Sequence, residues 1–437
     1  MSLKHMICLS LVCALAGVAC SESDGDPDSD TGVVEDTGGE EDTGGEEDAG
    51  GEEDAGGEED AGGEEDAGGQ HDAGDVEDTG VEVEPWSLYE HPCVGNRTDT
   101  LHCDDDLTCF VGCGSTTSGD QGLYFTEDGG ANWAAPSTTP ADFLMAARVL
   151  DISRSADGNL YVAGQIANST RVVSIAPDGN AAEVWNTRET VGFSFSAGRF
   201  RRNAEGWAIA ESSTGTDLVY RRGDDVEPAQ SWESGAGFWS DGDEDDDSFG
   251  IQIQDMEIDT DGEFYAVGST ISQPPTVLLP KWDESDFDFH ILQLNASGLG
   301  AFDGELVGID VNDTYLVAGG VNQDADTGII YTHERGEGDA TDEASWNFFN
   351  VGTLFDDSTT WVHDVCLGEG VIYAVGRESS EEWGFVLRST DGGESFEDIT
   401  PYNADGDSTL DPASRCVTTV DGVNVAGAGG MFAVYAE

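Results

Sequence analysis

Carboxylates are the residues of this 437-residue chain with the most chemistry to offer, 91 Asp and Glu against 16 Lys and Arg. Two of them share one spacing, Ser/Thr-x-Asp-x-Gly-x-x-Trp/Phe: Thr126, Asp128, Gly130 and Trp133, and again Ser389, Asp391, Gly393 and Phe396. An Asp so placed accepts backbone N–H bonds inside its own turn, and the glycine takes the positive φ the turn needs. The spacing predicts structural carboxylates, so Asp128 and Asp391 receive no catalytic role. Asp241, Asp243 and Asp245 alternate along an acidic run, and Asn403, Asp405 and Asp407 lead on to Asp411. Oxygen-rich loops of this kind suit a hard cation, so calcium is the one cofactor the sequence suggests, and none is required. Six cysteines, Cys93, Cys103, Cys109, Cys113, Cys366 and Cys416, predict disulfides if the chain is exported, with fifteen pairings open. The Cys109 and Cys113 spacing would alternatively suit zinc. No phosphate-binding Gly loop ending in Lys, no His-Glu-x-x-His and no Gly-x-Ser-x-Gly elbow is present.

The elements that must carry these residues are short apolar strands. Endings of one type recur seven times, about fifty residues apart: Phe110 to Gly112, Tyr161 to Gly164, Trp207 to Ala210, Phe264 to Gly268, Tyr315 to Gly319, Tyr373 to Gly376 and Val425 to Gly427. An apolar strand precedes most of them, as in Val149-Leu150-Asp151-Ile152 and Val362-His363-Asp364-Val365. Asp157-Gly158, Asp261-Gly262 and Asp421-Gly422 supply hairpin turns between the two. Several strands per repeat at this period predict an all-β fold, a β-propeller of seven blades; one weak unit misread would make six or eight. The last repeat has room for only three strands, and Trp86-Ser87-Leu88-Tyr89 can supply the fourth, closing the ring with strands from both ends and removing an exposed edge. His102 and His363, each in the first strand of a unit, could approach the central channel.

The two repeated turns resemble the Asp-box, or BNR repeat, and through them residues 85–437 resemble Asp-box propellers. That group includes sialidases, sortilin, some glucan hydrolases and a photosystem assembly factor. The resemblance implies a structural role for the two turns. It also implies what a sialidase would need: three arginines to hold a carboxylate, a Tyr paired with Glu, and an acid Asp. The chain is poor in Arg; Arg97 is followed by Thr98 and Asp99 rather than by Ile-Pro, and Arg201-Arg202 precedes Asn203. A glucan hydrolase of the group would need a second propeller, which the sequence lacks.

Residues 1–20 read as a signal peptide, with Lys4 and His5 ahead of an apolar run from Met6 to Val18. Gly17-Val18-Ala19-Cys20 resembles a bacterial lipoprotein processing box, which implies that Cys20 is acylated and that Ser21 suits passage to the outer membrane. Residues 21–84 hold 28 acids and no Lys or Arg, with Glu-Glu-Asp-Thr/Ala-Gly-Gly repeated five times from Glu40 to Gly69. Such a stretch cannot bury a core and reads as a disordered acidic linker. A formal charge of −75 repels phosphates, so nucleic acid is excluded as a partner and membrane contact is left to the lipid anchor. The function expected is a monomeric, noncatalytic binding module for an envelope or extracellular protein or glycan, on the outer membrane or cell surface. The alternatives are a secreted glycoside hydrolase and a periplasmic or secreted location. The loops 231–247 and 272–288, with Trp232, Trp239 and Trp282, are the expected contact surface.

Overall fold

A computed structural model describes residues 85–436 except 94–97, 115–120, 137–146, 156–157, 167–168, 178–180, 187–196, 203–206, 213–217, 223–232, 236–237, 240–248, 251, 270–273, 284–285, 296–301, 356–358, 379–382, 404–406 and 428. The signal peptide, Cys20, the acidic linker and the proposed calcium run Asp241, Asp243 and Asp245 lie outside the described residues.

The chain folds into antiparallel sheets arranged as a β-propeller, six of them four-stranded. Blade I comprises Arg148–Arg154, Leu160–Ile166, Ser169–Ile175 and Ala181–Asn186. Blade II comprises Ala197–Arg202, Trp207–Ser212, Leu218–Arg222 and Glu233–Gly235. Blade III comprises Gln252–Ile258, Phe264–Ser269, Thr276–Asp283 and Asp286–Gln293. Blade IV comprises Gly304–Val311, Tyr315–Asn322, Thr327–Glu334 and Asn347–Asn350. Blade V comprises Thr360–Leu367, Ile372–Glu378, Trp383–Ser389 and Glu397–Asp398. Blade VI comprises Ala413–Thr419, Gly422–Gly427 and Met431–Ala436, with Trp86–Glu90 paired antiparallel outside them, Trp86 opposite Tyr435. The N-terminal strand thus closes the last blade, and Trp86 Nε1 fixes it further by donating to the Ile399 carbonyl at 2.8 Å.

The expected seven blades are corrected to six. The first unit, Thr98–Cys103, Cys109–Gly114 and Gln121–Thr126, is a three-stranded sheet set between blades VI and I. Among the described residues after its turn, up to Pro136, the pairing is an isolated bridge, Phe125 with Ala134. Pro136 follows two residues later and has no N–H with which to continue a ladder.

The cores lie between neighbouring sheets. One buried cluster joins Val267 and Val277 of blade III to Ile309 and Leu316 of blade IV. Another joins Val317 and Ile330 of blade IV to Val365 and Ala374 of blade V. Among the described residues the second strands are covered on both faces, Gly422–Gly427 at every residue, which is why these segments read as unbroken apolar runs rather than alternating ones. In six of the seven sheets a glycine near the end of the run answers a β-bulge in the first strand; in blade II the run ends in Ala210 and the bulge lies opposite Glu211 and Ser212. Gly376 pairs with Val362 beside the bulge at His363, and a Cβ on Gly376 would sit 2.0 Å from the Trp361 carbonyl oxygen. Gly320 meets the same obstacle at Glu305, at 1.9 Å.

The two turns with shared spacing have one geometry. Thr126 Oγ1 donates to Asp128 Oδ1 at 2.8 Å and accepts Gly130 N–H at 3.0 Å, and Ser389 Oγ repeats both bonds with Asp391 and Gly393 at 2.8 and 3.0 Å. Asp128 Oδ1 accepts Asn132 N–H at 2.8 Å and Asp391 Oδ1 accepts Ser395 N–H at 3.0 Å. The Asn132 and Ser395 side chains hold both carboxyls below the usual carboxylate range. Trp133 packs edge-on against Phe432 of blade VI at 5.2 Å, and Phe396 lies 4.9 Å from Phe349 of blade IV. In each case the turn rests on the sheet before it in the ring.

Candidate functional site

All seven first strands face a central channel. Because each carries its bulge at the same place, one register position recurs around the ring: Thr100, Asp151, Arg199, Asp255, Gly308, Asp364 and Arg415 each follow the bulged residue. At four of these positions the side chain clips the next sheet by accepting the backbone N–H one register position further along it. Ile152 N donates to Thr100 Oγ1 at 3.2 Å, Phe200 N to Asp151 Oδ2 at 2.8 Å, Ile309 N to Asp255 Oδ2 at 3.3 Å and Cys416 N to Asp364 Oδ2 at 3.1 Å.

The other three junctions are clipped differently. Gly308 has no side chain, and a Cβ there would lie 2.8 Å from Asp364 Cα, so blade IV uses Asp310, whose Oδ2 accepts Leu367 N–H at 2.7 Å. Blade II reaches blade III through Arg201 Nη2, 3.2 Å from Glu257 Oε2, while the same guanidinium pairs with Asp151 on its other side. Blade VI reaches the three-stranded sheet through Arg415 Nε, which donates to the Asp99 carbonyl at 2.7 Å.

The channel encloses about 210 Å³ and is lined by Asp99, Asp151, Asp255, Glu257, Asp310 and Asp364 together with Arg154, Arg201 and Arg415. Burial pushes the Glu257 carboxyl up despite its pairing with Arg201, and pushes Asp310 well above the usual range. Asp364 is raised to about 7, because burial and the neighbouring Asp255 outweigh Arg415 and two backbone donors. Glu257 keeps 28% of its side chain accessible, and that access is to the narrow channel rather than to bulk water. The three channel arginines are engaged: Arg154 with Asp104, Arg201 with Asp151 and Glu257, and Arg415 with the carbonyls of Asp99 and His363. His102 lines the channel and meets Asp104 at 3.1 Å; the ring of His363 lies 2.9 Å from the Ala413 carbonyl oxygen.

A wider cavity of about 680 Å³ opens where the turns after the first strands converge. Asp104, Asp105, Asp313 and Glu369 line it with Val371, Tyr373 and Val420, and it shares Thr418 with the channel. Val420 is 93% exposed, and nearby Leu107 is 57% exposed.

Sequence reasoning named Asp151 and Asp364 only as parts of strands and did not name Thr100 or Asp255. Three of the four clips share the pattern apolar-x-Asp-apolar, Val149-Leu150-Asp151-Ile152, Ile253-Gln254-Asp255-Met256 and Val362-His363-Asp364-Val365, but so does Phe396-Glu397-Asp398-Ile399, which is no clip. Of the sites that reasoning did single out, the two turns lie at sheet edges, away from the channel lining. Trp232 lies outside the described residues, and Trp239 and Trp282 fall in the strands Phe238–Trp239 and Thr276–Asp283. The cysteines pair as Cys93–Cys113, Cys103–Cys109 and Cys366–Cys416, so the zinc alternative at Cys109 and Cys113 is overturned: each is bonded to a different partner. Among the described residues no group of three metal-ligating side chains occurs, and no helix is long and apolar enough to cross a membrane. The disulfides point to an oxidising, extracellular compartment.

No family model and no curated protein matches the chain. Solved structures do. YCF48 from Cyanidioschyzon merolae superposes with a TM-score of 0.55 at 14% identity, over 80% of this chain and 98% of that one. A YCF48 bound to D1 peptide gives 0.53 at 14%, over 82% and 97%, and virginiamycin B lyase from Staphylococcus aureus gives 0.52 at 12%, over 80% and 97%. At such identities the likeness speaks to architecture alone, and it agrees with the ring of sheets: the chain is a β-propeller.

Proposed function

We propose that this propeller is a noncatalytic interaction module for a protein or glycan, carried at the cell envelope on the acidic linker and anchored through Cys20. One observation carries the reading: the channel's ionisable groups hold the sheets to one another. Asp151, Asp255, Asp310 and Asp364 receive backbone N–H groups from the next sheet, and the arginines are engaged by carboxylates and carbonyls. A sialidase-like site would need free arginines for a substrate carboxylate, and a hydrolytic pair would need a carboxylate open to the reacting bond. Binding then falls to the turn face, where the wider cavity meets exposed Leu107 and Val420. A YCF48 of the same architecture binds a peptide, which favours a protein partner. In this reading the two repeated turns are Asp-boxes that serve packing.

The test is binding of the purified chain to a peptide library and a glycan panel, with products checked by mass spectrometry. The expected outcome is saturable binding without turnover, weakened at least about tenfold by Val420→Asp at the cavity edge, a loss typical of a central interface residue. Cleaved glycan would establish the alternative, a secreted glycoside hydrolase.

A further inference from the structure

The three disulfides differ in where their sulfurs lie. Cys93 and Cys113 are fully buried, and Cys366 and Cys416 are 3% and 6% exposed. Cys103 is partly exposed and borders the 680 Å³ cavity, while its partner Cys109 is fully buried. The Cys103–Cys109 bridge closes a span of 6 residues, against 20 and 50 for the others. It joins residues directly opposite each other in a β ladder whose turn is already tied by Asp104 N–H to the Thr108 carbonyl at 2.9 Å. A cross-link over so short and so well-paired a loop removes the least chain entropy of the three, so its contribution to stability is the smallest.

A second observation concerns Asn424 of blade VI, which is fully buried against this bridge. Its Nδ2 donates to Cys103 Sγ at 3.4 Å and to Cys109 Sγ at 3.3 Å, and its Oδ1 has no hydrogen-bond partner. A disulfide has no proton to offer that oxygen; a thiol has one. The Nδ2–H also points at Cys109 Sγ, the sulfur that would leave as thiolate if a nucleophile entered from the cavity at Cys103. A hydrogen bond to a leaving thiolate speeds thiol–disulfide exchange by lowering its basicity.

We propose that Cys103–Cys109 is an exchangeable disulfide, opened from the cavity by a dithiol while the rest of the ring stays folded. The reductant's thiolate attacks Cys103 Sγ, the Cys103–Cys109 bond breaks, and its electron pair leaves on Cys109 Sγ, which takes up a proton. The reductant's second thiol loses its proton, attacks the reductant sulfur of the mixed disulfide and expels Cys103 as thiolate, which is protonated in turn. Two electrons and two protons pass to the protein, and the dithiol ends as its own disulfide. Asp105, Asp313 and Glu369 around the cavity repel acidic monothiols, so the fitting reductant is a neutral dithiol or one carried on a protein. Opening would loosen the turn that ties three elements at the cavity: Asp104 to Arg154, Asp106 to the Val420 N–H, and the Leu107 carbonyl to Gly129 N–H.

The experiment equilibrates the full chain with graded dithiothreitol, traps thiols by alkylation, maps them by peptide mass spectrometry, and follows folding by circular dichroism. The expected result is joint labelling of Cys103 and Cys109 at dithiol concentrations at least about tenfold below those that label the other four, with an unchanged spectrum. Asn424→Leu should slow opening about fivefold or more, the value of one lost hydrogen bond. Labelling of all six disulfide-bonded cysteines together as the spectrum collapses would overturn the proposal, as would a folded Asn424→Leu chain that opens at the wild-type rate. Should that variant fail to fold, the labelling order of the wild-type chain decides alone.

Discussion

Asp364 accepts N–H bonds from Val365 and Cys416 and still has its carboxyl raised to about 7, so burial dominates its titration. Its unfolded value lies near 3.9, so the native state binds more protons than the unfolded state between about pH 4 and 7. The stability that Asp364 contributes is therefore complete below about pH 4 and is lost as pH rises through 7. His91 works the other way. Burial lowers it to about 4, so acidification below about 6.5 charges the unfolded chain first and costs stability. The informative quantity is the difference between wild type and Asp364→Asn in guanidinium melts. That difference should favour the wild type at pH 4 and fall, or change sign, by pH 8; a flat difference would mean that Asp364 titrates normally. Arg201 is more exacting, because it compensates both Asp151 and Glu257. Arg201→Met should cost about 3–5 kcal/mol in the same melts, and adding Glu257→Gln should return part of it.

Turns and strands show which parts of the fold could be read in advance. Gly130 has φ +97°, and a Cβ there would lie 2.4 Å from Phe432 of blade VI. Gly130→Ala should therefore destabilise by about 2 kcal/mol or more in chemical denaturation, whereas Gly336→Ala, with φ +90° but nothing within 4 Å, should cost about 1. The strand signature was legible because a glycine stands beside the bulge in six of the seven sheets, as at Gly320 and Gly376, blade II being the exception. The closing strand was legible because Met431–Ala436 left an edge for Trp86–Glu90 to cover. That the described residues of the first unit form three strands rather than four was not, since Thr126 to Trp133 carries the same turn as blade V and Pro136 is the local difference. The clips were hidden for another reason: Asp255 finds its donor, Ile309, 54 residues along the chain, and only the register shows that they meet.

At the scale of the molecule, the channel is a closed circuit of polar contacts, and the function proposed above assigns partner binding to the turn face. The circuit passes through both ends of the folded region, since Arg415 grips Asp99 and Trp86–Glu90 completes blade VI. Removing residues 85–90 should expose the strand Met431–Ala436 as an open edge, lower the melting temperature and promote association detectable by light scattering. A shortened chain that stays monomeric with an unaltered melt would show that the closing strand is dispensable.

That strand also sets an order of events. Trp86 pairs with Tyr435, so blade VI cannot be completed until nearly the whole folded region has been made. A sheet that waits for a partner some 350 residues away must meet a large loop-closure cost before its contacts form, which makes folding slow and late. Until then Trp86–Glu90 is an unpaired strand beside growing blades, the moment at which two copies could exchange it. The native ring is thus a structure whose first residues are the last to find their place.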